Sequence, residues 1–277
     1  MSNVYVIAEI GINHSGDMSL AKKLIDQSHT SGADAVKFQK RTIDLVYTPA
    51  ELDKYRESPW GTTNRQQKEG LEFSIEEYRE LENYTKELGM DFIVSCWDVN
   101  SVDTIEENLN IKYHKVASAL ATDKEFLEKL NSTGKPVILS TGMCTEEQIA
   151  AAIKILDNVE MVLACTSTYP TSPEELNLRH ILTLRDNYPS HKVGFSNHYN
   201  GADAIVGAVA LGAECIEFHI TNDRTSYGSD QAASIENSAE IIDAIRKMEL
   251  MLGNGDKKLY DSEKPIAKKL RKVSNTC

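Results

Sequence analysis

The stretch Gly134-Lys135-Pro136-Val137-Ile138-Leu139-Ser140-Thr141-Gly142-Met143-Cys144-Thr145-Glu146-Glu147-Gln148 decides how the whole chain is read. Its first part is a short, almost wholly apolar run, as strands buried on both faces of a parallel sheet are. Its second part places a hydroxyl N-cap at Thr145, two acids in the first turn and Gln148 three residues on, the capping-box signature of a helix start. Gly134 marks the end of the helix before. A strand passing directly into a helix is one βα unit, and the pattern recurs. Strand-like runs occupy residues 4–10, 35–39, 92–97, 113–118, 136–141, 161–166, 192–197 and 215–220. Between them lie amphipathic stretches with further start signals at Ser74-Ile75-Glu76-Glu77 and Ser238-Ala239-Glu240. Eight such units imply right-handed crossovers around a parallel sheet. With 277 residues, 41% of them hydrophobic, the chain has the size of a single-domain (β/α)8 TIM barrel. We expect the catalytic barrel over residues 1–255 and a C-terminal basic helix and tail over 256–277. A doubly wound open sheet satisfies the same periodicity; the usual size of a barrel favours the closed form.

One connection breaks the rhythm. Residues 41–72 form a long polar segment with Pro49, Pro59, Trp60 and Gly61. Leaving the C-terminal end of the second strand, it should lie over the active-site face, either as a lid or as a mobile surface insertion.

The net charge of −12 argues against nucleic acid, which selects clustered Lys and Arg. A small anionic substrate is compatible, because a few convergent lysines set the potential of a cleft inside an acidic protein. No apolar run approaches the roughly 18–20 residues that span a bilayer, so no membrane segment is expected. The start, Met1-Ser2-Asn3 leading straight into Val4-Tyr5-Val6-Ile7, carries no leader signal. Five cysteines without CxxC spacing suit reduced thiols. Together these predict a cytoplasmic protein.

Most strands finish in hydrophilic side chains that a purely structural core would not place there. In order they carry Glu9, Lys37 and Gln39, Ser95, Lys115 and Ser118, Ser140 and Thr141, Thr166 and Ser167, Ser196 and His198, and His219. A lone strand-end hydroxyl usually serves a turn, but the coincidence across eight strands points to one functional mouth. His198 and His219 end adjacent strands and should aim two imidazoles into one space, near Glu9 and Asp230, as a divalent metal with open positions for water and substrate oxygens requires. His14, in Asn13-His14-Ser15-Gly16, reads as part of a turn. Lys37 and Lys115 sit among apolar neighbours, and a lysine inside a barrel must find an anion or lose its charge. With the nearby hydroxyls they suit a substrate bearing phosphate and carboxylate. A Schiff-base lysine is the rival reading.

The motifs Ala8-Glu9-Ile10-Gly11-Ile12-Asn13-His14, Ala35-Val36-Lys37-Phe38-Gln39, Tyr113-His114-Lys115-Val116-Ala117-Ser118, Ile138-Leu139-Ser140-Thr141-Gly142-Met143, Cys165-Thr166-Ser167-Thr168-Tyr169-Pro170 and Gly194-Phe195-Ser196-Asn197-His198 fall in order along the chain. In them it resembles the sialic acid synthase family, from about residue 4 to about 250. The resemblance implies a barrel transferase that joins phosphoenolpyruvate to a sugar aldehyde, N-acetylmannosamine-like, giving a nine-carbon 3-deoxy-2-keto acid and phosphate. It implies Mn2+ or Mg2+ on His198 and His219, and a homodimer. Lys37, Lys115, Ser118, Ser140 and Ser196 match the phosphoenolpyruvate contacts. Gln39, Tyr169 and Asp230 match the sugar site, and Glu9 matches an acid near the metal. We therefore expect Glu9, Lys37 and Lys115 to be catalytic, with Ser95 and Ser167 among the substrate contacts.

Three departures stand out. The small antifreeze-like C-terminal domain common in the family is not present in these residues; Leu120 stands where better-known synthases carry an acid; Ser167 and Asn197 replace an Asn and an Asp. They suggest an altered acceptor, such as mannose or a mannose phosphate, with the chemistry retained. The other readings are a metal-dependent or Schiff-base pyruvate aldolase and a non-catalytic sugar-binding subunit.

Overall fold

The computed structural model describes residues 3–228 and 230–272. Eight parallel strands close into a barrel: β1 (Tyr5–Gly11), β2 (Ala35–Lys40), β3 (Asp91–Cys96), β4 (His114–Val116), β5 (Val137–Ser140), β6 (Val159–Cys165), β7 (Lys192–Asn197) and β8 (Cys215–His219). Each pairs with its neighbours in sequence, and β8 returns to β1 with Tyr5 opposite Cys215 and Glu9 opposite His219. The open-sheet alternative is thereby excluded.

Eight helices surround the barrel: α1 (Met18–Ser31), α2 (Ile75–Glu87), α3 (Val99–Asn108), α4 (Lys124–Ser132), α5 (Glu146–Ile155), α6 (His180–Asn187), α7 (Ala202–Ala210) and α8 (Ser238–Leu252). Their starts follow the sequence signals. Ser74 with Glu77 opens α2 and Thr145 with Gln148 opens α5, both as reciprocal capping boxes. At the other end of α1, Gly32 adopts φ 86°, a left-handed C-cap that costs a glycine little.

Because strand side chains alternate, each strand sends every second residue inward. The inward column starts apolar: Ile7, Ala35, Ile93, Tyr113, Ile138, Met161, Leu163 and Cys215 form one buried cluster in the lower barrel. Outward residues such as Ala8, Val36, Phe38, Phe92, Leu139, Phe195 and Phe218 form a second cluster against the helices. Two residues above the lower plug the inward column becomes charged, with Glu9, Lys37, Lys115 and Glu217 all buried.

Residues 41–72 are not a structureless loop. They fold into short helices at Ile43–Val46 and Pro49–Leu52, a hairpin of Tyr55–Ser58 with Gly61–Thr63, and a helix at Asn64–Leu71. Thr48 with Glu51 and Thr63 with Gln66 form capping boxes, and Leu52, Gln67 and Leu71 are buried. The insert is seated tightly on the turn after β1. A Cβ on Gly16 would lie 2.0 Å from the Gly70 carbonyl oxygen, and one on Gly70 would lie 2.1 Å from Trp60 Cγ. Trp60 in turn meets Tyr227 edge-on at 5.7 Å between centroids.

After α8 come a single turn at Asp261–Glu263 and a helix at Lys264–Leu270, with Leu259, Tyr260, Ile266 and Leu270 exposed. Residues 273–277 of the expected tail, Cys277 included, lie outside the described residues. Cys96, Cys144, Cys165 and Cys215 are free thiols. Among the described residues no helix is long and apolar enough to cross a membrane.

Candidate active site

The C-terminal ends of the strands enclose a cavity of about 210 Å³. Its floor is an ionic cluster formed by adjacent strands. Lys37 Nζ lies 2.9 Å from Glu9 Oε2 and 3.7 Å from Glu217 Oε2. Lys115 Nζ lies 3.7 Å from Glu217 Oε1 and donates to Ser140 Oγ at 2.7 Å. Ser196 Oγ donates to Glu217 Oε1 at 3.0 Å. Burial alone would raise the Glu217 carboxyl, but the ammonium groups of Lys115 and Lys37 hold it down to about 2. Burial also works against both lysines. For Lys37 the two carboxylates outweigh it and the ammonium is held above the usual range. Lys115 is pulled down, because burial and the neighbouring Lys37 charge oppose its single carboxylate partner.

Above the floor, Tyr169, His198 and His219 form an aromatic wall. The two imidazole centroids are 5.4 Å apart, and the Tyr169 ring lies 4.2 Å from His198 and 5.8 Å from His219. His198 Nδ1 lies 2.8 Å from the Thr166 carbonyl oxygen. Donating there fixes the Nδ1–H tautomer and leaves the Nε2 lone pair available. The His219 Nδ1 is buried without a hydrogen-bond partner and lies 3.6 Å from Asp230 Oδ2. Burial pulls the His219 pKa down despite Asp230 and Glu9, favouring the neutral ring a cation would need. Among the described residues no group of three or more His, Cys, Asp or Glu side chains could hold a metal ion. The two-imidazole pair is thus the donor set the chain offers, with other positions left for water and substrate.

Glycine is required at one corner. A Cβ on Gly142 would lie 2.2 Å from Ser167 Oγ and 2.8 Å from Ser118 Oγ, and the Gly142 N–H donates to Ser118 Oγ at 3.0 Å. This close approach seats both hydroxyls at the cavity. Cys165 Sγ stands behind them, 3.7 Å from His198 Nδ1. Burial raises the thiol, but hydrogen bonds with His198, Ser118 and Ser167 bring it down to about 7.

Of the residues selected from sequence, Glu9, Lys37, Gln39, Ser95, Lys115, Ser118, Ser140, Ser167, Tyr169, Ser196, His198 and His219 all line this cavity. Asp230 lines an adjoining one instead. Thr141 and Thr166 were expected at the mouth but face away, donating to the Leu163 and Glu175 carbonyls. His14 occupies the expected turn, where its Nδ1 accepts from the Gly16 N–H and its ring stacks on Phe73 at 4.2 Å. Leu120 packs against the core, and Asn197 closes its own turn with Tyr199. Sequence reasoning missed Trp97 and, above all, Glu217. The signal for Glu217 was its parity: in Cys215-Ile216-Glu217-Phe218-His219 it shares the inward side with His219.

A closed parallel barrel with charged and imidazole groups gathered at the strand C-termini defines a barrel enzyme of the usual polarity. Comparison with known proteins narrows the class. The NeuB family model matches residues 24–257. The chain is 38% identical over 275 residues to the human N-acetylneuraminate-9-phosphate synthase, covering 97% of this chain and 76% of that one. It is 36% identical over 281 residues to the N,N'-diacetyllegionaminic acid synthase of Legionella pneumophila, covering 97% and 78%. The solved N-acetylneuraminic acid synthetase of Leptospira borgpetersenii, in complex with citrate, superposes with a TM-score of 0.84 at 28% identity, covering 98% of this chain and 94% of that one. The chain belongs to the NeuB family. It is a transferase that forms carbon–carbon bonds.

Proposed function

We propose that the chain condenses phosphoenolpyruvate with the aldehyde carbon of a hexose or N-acetylhexosamine, yielding a nine-carbon 3-deoxy-2-keto acid and inorganic phosphate. The observation that carries this reading is the pairing of a buried lysine and hydroxyl floor with two imidazoles on one small cavity. The floor suits an acid bearing phosphate and carboxylate; the imidazoles suit a cation that addresses an aldehyde. Family membership supports the same pairing. Residues 1–255 are the proposed catalytic unit, residues 256–277 an appended basic segment, and the working assembly a homodimer.

A divalent cation, Mn2+ or Mg2+, on His198 and His219 would supply Lewis-acid polarisation of the acceptor carbonyl. Lys37, Lys115, Ser118, Ser140 and Ser196 bind the phosphate and carboxylate of phosphoenolpyruvate, with Ser95 and Ser167 on the same walls. Glu217 positions the two ammonium groups and balances part of their charge until substrate arrives. Gln39 and Tyr169 orient the sugar, with Asp230 at its far side. C3 of the enol attacks the aldehyde carbon, water adds at C2, and the tetrahedral intermediate releases phosphate by C–O cleavage. Glu9, which accepts from Gln39 Nε2 at 2.6 Å and faces Lys37, takes the proton of that water.

The test is phosphate release by the purified protein with phosphoenolpyruvate, manganese and a panel of hexoses and N-acetylhexosamines. Release that depends on one sugar and disappears in His198→Ala establishes the reaction and its acceptor. Sugar-independent release, or none with any sugar, defeats it.

A further inference from the structure

Beside the main cavity lies a second of about 320 Å³, and Gln39, Trp97 and Tyr169 line both. Its outer wall comes from the insert and from the end of β2, which bring Arg41, Tyr47 and Lys68 to it. The Arg41 guanidinium lies 4.1 Å from the Trp97 ring, and its Nη2 donates to Gln39 Oε1 at 2.6 Å. Its Nε is buried without a hydrogen-bond partner. Lys68 Nζ sits 4.9 Å from the Tyr47 ring centroid.

The carboxylates nearby are committed elsewhere. Glu72 meets Lys40 Nζ at 2.8 Å and the Arg41 backbone N–H at 3.3 Å, and Asp230 stands 3.6 Å from His219 Nδ1. Among the described residues neither Arg41 nor Lys68 forms an ion pair. Burial, then the charges of Arg41 and Arg56, push Lys68 down to about 8. In a chain of net charge −12, like charges gathered at the rim of a site are unfavourable unless a ligand brings the opposing charge.

We infer that this annex receives a terminal phosphate on the acceptor sugar, held by Arg41 and Lys68, so that the substrate class is a phosphorylated hexose or hexosamine. The inference rests on the proposed placement of the aldehyde at His198 and His219. From there an open-chain sugar runs past Gln39 and Tyr169, and its far end reaches the annex. A guanidinium with an open Nε beside an ammonium matches a dianionic, many-acceptor group better than a hydroxyl.

The test compares kcat/KM for mannose 6-phosphate and N-acetylmannosamine 6-phosphate with that for their neutral parents, in wild type, Lys68→Met, Arg41→Met and Lys68→Arg. Wild type should prefer the phosphorylated acceptors, and each Met variant should shrink that preference by about 10- to 100-fold, the worth of one charged hydrogen bond. The loss should appear in KM for the sugar phosphate, and Lys68→Arg should restore most of it. Equal or better use of the neutral sugars by wild type overturns the inference, as does a rise in KM for phosphoenolpyruvate in place of the sugar. If no acceptor is turned over, calorimetric titration of the same sugars separates the two readings. Binding of the 6-phosphates that exceeds that of the parents and is lost in Lys68→Met keeps the annex while the condensation fails. Indifference to the phosphate overturns the annex itself.

Discussion

The lower and upper halves of the barrel interior are built by the same strands and the same two-residue alternation, yet they are opposite in character. Below, Ile7, Ile93, Ile138 and Met161 fill the space with apolar side chains. Above, Glu9, Lys37, Lys115 and Glu217 occupy the next inward positions and are equally buried. The lower half stabilises the fold by excluding water. The upper half holds charges that a fold alone would avoid, since buried ion pairs seldom repay their desolvation. The contrast separates what closes the barrel from what the barrel carries.

Substitutions can sharpen that division. The largest combined effect is expected for Glu217→Leu, which leaves Lys37 and Lys115 with one counter-charge. Breaking such a pair costs about 3–5 kcal/mol, and phosphoenolpyruvate turnover should fall well over 100-fold. Urea titration alongside phosphate release measures both, and a fully active, stable variant would erase the distinction. Met161→Ala, in the lower plug, should lose about 2–5 kcal/mol of stability while KM for phosphoenolpyruvate stays put below the melting transition. A changed KM there would mean that the halves are not independent.

Acid probes the outer packing. Burial lowers the pKa of His14 to about 3 and that of His114 to about 4, so below pH 6.5 the unfolded chain takes up protons that the folded chain refuses. Stability is therefore full above pH 6.5 and falls as pH drops through the window from 6.5 toward 4, by up to about 1.4 kcal/mol per unit for each histidine. A melting temperature flat across that window would contradict the neutral, stacked ring of His14. The smallest effect is expected for Ser196→Ala, which removes one donor to Glu217 and should cost about 1 kcal/mol, seen as a modest rise in KM for phosphoenolpyruvate.

Much of this was legible in the chain itself. All eight strands were found within a few residues, because buried parallel strands are apolar runs and the intervening helices announce their starts through Ser74, Thr145 and their partners. The site residues were legible wherever a polar side chain ended a strand. The errors share one cause: position along a strand was weighed, and side was not. Thr141 and Thr166 follow inward-facing Ser140 and Cys165 by one residue and so point outward. Glu217 precedes His219 by two and so points inward. The insert was misread for another reason. Its Pro and Gly content suggested a loop, whereas Thr48 with Glu51 and Thr63 with Gln66 carried the same capping signature used correctly elsewhere.

The contact of Gly16 and Gly70 beneath Trp60 has a kinetic consequence. A roof joined to the first turn by backbone against backbone leaves no room for a hinge at that seam. Ligands then enter by the side-chain rim of Arg41, Trp97 and Tyr169, and the order in which two substrates load is set by depth: the one bound to the lysine floor must arrive before the one that covers it.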